Sequence, residues 1–100
     1  MQNAMITKTI NHIKENVNIY EGVKIEMVTV HHANYISTET KTYSYLADKD
    51  KFYYTHGGIL GMMDYKEALD DILYTIEMAD SYDKITIYNR GKEIARIKKI

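Results

Sequence analysis

Ile6, Ile10, Ile13 and Val17 recur at spacings of four, three and four residues. That single apolar stripe predicts an amphipathic helix from about Met5 to Val17. Asn18 to Gly22 breaks the pattern, and VKIEM (Val23 to Met27) then alternates with period two, as a strand does. The alternation slips at Met27-Val28, where a bulge or burial on both faces is expected. TYSYLADKDKFYYTH reads as a hairpin, with strands Thr42 to Ala47 and Phe52 to His56 around a turn at Asp48-Lys49-Asp50. Asp64-Tyr65-Lys66-Glu67 has the form of a capping box: Asp64 can accept from a free backbone N–H and Glu67 can reach back. Behind it Tyr65, Ala68, Leu69, Ile72, Leu73, Ile76 and Ala79 keep one face of a second helix apolar. KITIYNRGKEIARI closes the pattern as a second hairpin, with Gly91 suited to the left-handed residue of a three-residue loop.

The order α-β-β-β-α-β-β implies a single α+β domain over residues 1–100, an antiparallel sheet with helices packed on it. One hundred residues can bury a core without staples. Met1 to Ala4, ahead of a second methionine at Met5, is set aside as an extraneous start. Hydrophobic residues make up 45% and charged residues 27%, as in ordinary globular chains. No apolar run approaches a membrane span, and the N-terminus lacks a signal-peptide core. The absence of cysteine excludes disulfides, Cys-based zinc sites and thiol nucleophiles, and fits a cytoplasmic location.

The net charge of −1 argues against a general nucleic-acid coat, and its distribution says more. Asp64, Glu67, Asp70, Asp71, Glu77, Asp80 and Asp83 face only Lys66 within residues 64–83, whereas Lys84, Arg90, Lys92, Arg96, Lys98 and Lys99 face only Glu93 beyond them. An acidic helix is therefore followed by a basic hairpin.

Chemistry-bearing candidates are few. HGGILGMMD places Gly57, Gly58 and Gly61 before a helix, where phosphates often bind. It lacks a Gly-Lys-Ser/Thr ending, Asp64 fills the anion position with its own carboxylate, and an antiparallel hairpin precedes it. These glycines read as a hinge from sheet to helix. His31 and His32, neighbours on an expected strand, point to opposite faces, and His56 has no HxH or HExxH partner, so no metal site is expected. Asp70-Asp71 diverge by roughly 100° around a helix axis and form no acid/base dyad. There is no G-x-S-x-G elbow. A non-enzymatic chain without cofactor is expected; an enzyme would need a sizeable pocket near His56 to Gly61.

Ten tyrosines accompany one phenylalanine. Tyr43 and Tyr45 share a strand face and Tyr88 lies on the last hairpin; such rings can stack bases, but tyrosine is also an ordinary half-buried strand residue. The first five elements follow the order of a double-stranded-RNA-binding domain. The second helix, however, opens with acids where that family places lysines, which excludes the assignment. Any nucleic-acid contact falls to Arg90, Lys92, Arg96, Lys98 and Lys99, a short basic edge that can equally keep an edge strand soluble.

The helical projection sets Glu67, Asp70, Asp71 and Glu77 opposite the apolar sector, with Tyr74 amid them and Met78 one turn on. Tyrosine is enriched in binding hot spots and methionine in adaptable contact surfaces. Either the first helix covers Tyr74 and Met78, or this face docks on a basic host-protein surface. The plentiful Lys, Ile, Asn and Tyr have the flavour of AT-rich genomes. With its small size and patterned acidic face, the whole chain resembles in general character the inhibitor proteins that phages and mobile elements carry against host defences, anti-CRISPR proteins among them. That resemblance implies a protein partner and carries no site residue with it. A homodimer through a sheet face lined by Tyr43, Tyr45 or Tyr88 is the remaining partner reading.

Overall fold

The computed structural model describes residues 4–32 and 34–99. Of the four residues set aside above, 1–3 lie outside the described residues, and Ala4 belongs to the first helix. The elements are α1 (Ala4–Asn16), β1 (Val23–Val30), β2 (Ile36–Leu46), β3 (Lys51–His56), β4 (Ile59–Met63), α2 (Tyr65–Glu77), β5 (Lys84–Asn89) and β6 (Lys92–Lys98), with short 3-10 turns at Ile19–Glu21 and Met78–Ser81. The six strands form one antiparallel sheet in the order β4-β3-β2-β1-β5-β6. Its α+β class and antiparallel sheet agree with the pattern in the sequence. The segment read as a glycine hinge contains a further strand, β4.

Alternation sorts the sheet into two faces. Ile25, Met27, Tyr43, Phe52, Ile85 and Ile87 point to one face and are fully buried, where they meet Ile6 and Ile13 of α1 and Ile72 and Ile76 of α2. Both helices therefore pack on this face. The opposite face carries Lys24, Glu26, Thr40, Thr42, Thr55, Thr86 and Tyr88, with no helix over it. The slip at Met27-Val28 is partial burial on both faces, because β1 stays in register throughout. The bulge falls instead in the last hairpin, at Ile87/Tyr88.

The turns follow their residues. Gly57 has φ 60°, the value a two-residue II′ hairpin requires at its first central position, and His56 pairs directly with Ile59. Arg90 and Gly91 both have positive φ (59° and 76°), so the last hairpin turns on two residues in type I′ rather than on three. Asn89 Nδ2 donates to the Gly22 carbonyl at 2.8 Å, tying this turn to the start of β1. His31 and His32 lie beyond β1 rather than on it. His31 stacks on Tyr35 at 4.4 Å between ring centres and bonds Ser37 Oγ at 2.8 Å.

Candidate functional site

Helix α2 starts where the sequence says it should. Asp64 Oδ1 accepts from the Glu67 N–H at 2.8 Å, and Glu67 Oε1 accepts from the Asp64 N–H at 3.0 Å. The complete capping box fixes the helix start and hence the rotation of every later side chain. Tyr74 and Met78 emerge away from the core, 58% and 41% exposed. Helix α1 packs beside α2 without covering either. Glu77, exposed between them in sequence, has no partner among the described residues. Glu67 is occupied by the cap, and Asp70 pairs with Lys66 at 2.9 Å. The acidic character of this face is therefore carried most freely by Glu77, with Asp70 and Glu67 partly satisfied.

Asp71 does not belong to that open arc, which corrects the helical projection. Its carboxylate accepts from the Tyr43 hydroxyl rising from β2, and it lies 3.6 Å from Lys41 Nζ. Lys41 in turn donates to Thr75 Oγ1 at 2.9 Å, and Thr75 donates to the Asp71 carbonyl at 2.8 Å. The side chains of Lys41 and Asp71 are 12% and 26% exposed. Burial, with the Asp71 carboxylate beside it, holds the Tyr43 phenol far above the ordinary tyrosine value. The group pins α2 to the sheet through charge-assisted hydrogen bonds. Asp71 shares a stripe with Ala68 and Thr75, three before and four after it, and both are buried.

Beneath Tyr74 and Met78 the structure forms a groove of about 200 Å³ floored by Lys41, His56, Thr75 and Tyr82. His56 Nε2 donates to Glu39 at 3.0 Å. Burial first, then Glu39, raises the Tyr82 phenol above its ordinary value. The helix face is thus not a flat solvated surface. It has two large side chains standing over a cleft in which Lys41, His56 and Thr75 are already paired.

The other candidates are placed as follows. A wider depression of about 620 Å³ lies at the β3–β4 turn, between His56 and Ile59. Its titratable pair, His56 and Glu39, is mutually bonded on the helix side of the sheet, while the hydroxyls of Thr38, Thr40 and Thr55 point to the other side. A nucleophile and a base do not converge there. Among the described residues no three His, Asp or Glu side chains come together to hold a metal, and no helix is long and apolar enough to cross a membrane.

Tyr43 is buried under α2. Tyr45 packs with Tyr20, Phe52 and Tyr65 in an aromatic cluster, its ring 4.7 Å from Tyr20, and its hydroxyl donates to Asp50 at 2.8 Å. Neither can therefore line an open sheet face. Tyr88 does lie on that face, where its hydroxyl donates to Glu26. The basic residues do not form one patch. Arg90 pairs with Glu21 at 3.4 Å, Arg96 with Glu93 at 2.7 Å, and Lys99 Nζ donates to the Asp80 carbonyl at 3.0 Å. Lys92 and Lys98 sit at opposite ends of β6. Sequence reasoning counted Lys84 in the basic segment but not among the candidate contacts; it lies directly across from Lys98 on the helix-free face, without a counter-ion among the described residues.

No protein-family model, curated protein or solved structure matches this chain.

Proposed function

We propose that the chain is a non-catalytic, cytoplasmic protein-binding domain that docks through the outer face of α2. Tyr74 and Met78 are its apolar anchors, and Glu67, Asp70 and Glu77 its acidic rim. The partner is a host protein with a basic surface, of the kind that binds nucleic acid or serves in defence, so the domain acts as an inhibitor of the phage or mobile-element type. The observation that carries this reading is the outward exposure of Tyr74 and Met78 beside the exposed Glu77 carboxylate, which has no partner among the described residues. A large aromatic anchor ringed by carboxylates suits a cationic surface, where charge steers association and the ring supplies the contact.

The experiment is affinity capture from a low-GC bacterial lysate, with and without nuclease, using Tyr74→Ala and Met78→Ala baits as controls. A captured protein that survives nuclease and is lost at least tenfold with folded Tyr74→Ala supports the reading. Equal capture by the folded variants refutes the face. Asp71 is unsuitable as a test position, because a lysine there would stand beside Lys41 and break the fold.

The like-charged Lys84–Lys98 pair favours a second reading, nucleic-acid binding through the helix-free face of β5 and β6 with Arg96 beside it. That reading requires capture abolished by nuclease, and binding that weakens steeply with salt and falls when Lys98 is neutralised. Of the positions read from the sequence, Arg90, Lys92 and Lys99 lie off this pair.

A further inference from the structure

The two edges of the sheet are built differently. β6, at one edge, reads KEIARIK, and its charges and bulge are devices that keep an edge strand from pairing. β4, at the other, reads ILGMM: it has no charge and no proline, and its register against β3 is unbroken. Ile59, Leu60 and Met62 are 64%, 62% and 49% exposed. In a two-residue hairpin the residues flanking the turn form a hydrogen-bonded pair, and pairs alternate from there. Ile59, Gly61 and Met63 therefore turn their N–H and C=O groups toward β3. Leu60 and Met62 turn theirs outward, where no other part of the described chain meets them.

Gly61 is the second observation. Its φ is not positive, and a Cβ built on it would meet nothing within 4 Å. Neither backbone conformation nor packing within the chain calls for glycine, which weakens a strand by roughly 0.5–1 kcal/mol relative to alanine. Glycine in a strand often marks the close approach of another backbone.

We propose that the β4 edge is a self-association surface, on which a second copy of the chain adds its own β4 antiparallel about a twofold axis at Gly61. This register sets Leu60 opposite Met62 of the second copy, and each such pair exchanges both backbone hydrogen bonds. Gly61 meets Gly61 of the second copy in a non-hydrogen-bonded pair, where the backbones come nearest, at a Cα separation of about 4.5 Å. Ile59 falls opposite Met63 of the second copy. Every cross-strand pair is apolar and none brings like charges together, so the strand is complementary to itself. A foreign strand would find no charge here to select it. The product is one continuous sheet closed by twofold symmetry. Its contact is short, so association is weak, in roughly the micromolar range. The inference does not depend on the α2 docking face.

The test is sedimentation equilibrium of the intact chain from about 1 to 500 μM, with two variants. The native chain is expected to pass reversibly from monomer to dimer. Met62→Lys is expected to raise the dissociation constant at least tenfold without altering the circular dichroism melt. Gly61→Cys carries the one thiol in the molecule and has room for its side chain. In the proposed register its Cα–Cα separation is within disulfide reach, so it is expected to oxidise to a covalent dimer at least tenfold faster than Leu60→Cys. A native chain that stays monomeric throughout overturns the proposal and leaves the edge to a foreign strand. A dimer that Met62→Lys leaves intact, or equal cross-linking at both cysteine positions, overturns it as well.

Discussion

Tyr43→Phe is the sharpest probe of what holds α2 in place. The substitution keeps the buried ring and its contact with Tyr54 but deletes the hydroxyl that donates to Asp71. A hydrogen bond to a charged partner contributes about 1.5–3 kcal/mol. Asp71 is partly open to water and keeps Lys41 at 3.6 Å, so some of the loss is recovered by hydration. About 2 kcal/mol is the expected destabilisation, which in a domain of this size lowers the melting temperature by about 10 °C. Asp71→Asn removes the charge instead and leaves the Lys41 ammonium, 12% exposed, with Thr75 alone; its expected loss is about 2–3 kcal/mol. Urea and thermal unfolding of both single variants and the double variant, followed by far-ultraviolet circular dichroism, give a double-mutant cycle. The expected coupling is above about 1 kcal/mol, because the two groups bond each other directly. If Tyr43→Phe stays within about 0.5 kcal/mol of the native chain, the group does not pin the helix, and Asp71 returns to the list of residues free to meet a partner.

The same tyrosine sets an alkaline limit. Its folded-state pKa is raised, so its contribution is complete below the unfolded value near pH 10 and declines as pH rises beyond it. Tyr43→Phe is accordingly expected to flatten the loss of stability above about pH 10 in a pH series of urea melts. Asp64→Ala removes one half of the capping box and is expected to lower stability by about 1 kcal/mol, measured by thermal melts. Gly57→Ala, at φ 60°, is expected to destabilise by about 1 kcal/mol, whereas Gly58→Ala and Gly61→Ala, at ordinary φ, are neutral or better in the monomer. Equal losses at the three glycines would show that the segment is not the hairpin described.

The capping box and the two apolar stripes made both helices legible, because each signal is local and redundant. Strand β4 was not, since ILGMM has no alternation: it is apolar on both faces and interrupted by Gly61. The first half of β2, Ile36 to Lys41, was hidden for the opposite reason. After Ile36 it is polar on both faces, with threonines outward and Glu39 and Lys41 inward, where His56 and Asp71 satisfy them across chain separations that no local window spans. Asp71 was misplaced by a projection that counts rotation alone. Its stripe neighbours Ala68 and Thr75 are small, which was the available sign that this flank of the helix lies close to the sheet and can be reached by a tyrosine from below. The projection placed Tyr74 and Met78 opposite the apolar sector but left open whether the first helix covers them; both are exposed, in the rotation that Asp64 fixes. What they meet outside the chain is not written in that rotation.

The proposed docking face and the proposed β4 pairing would be linked through symmetry. Antiparallel pairing of β4 about an axis normal to the sheet keeps the helix-covered faces of both copies on the same side. Two α2 helices, each adjacent to β3 and β4, would then present two copies of Tyr74 and Met78 in one direction. A partner that offers two sites at matching separation would be held bivalently, and the second engagement would occur at a high effective concentration. The expected signature is asymmetric. Tyr74→Ala removes binding at every partner density, whereas Met62→Lys leaves single-site affinity unchanged and loses at least tenfold only where the partner is immobilised densely or is itself dimeric. Surface plasmon resonance at two immobilisation densities separates these cases. Equal affinity of native and Met62→Lys chains at both densities would show that the edge and the helix face act without reference to each other, even if each binds as proposed.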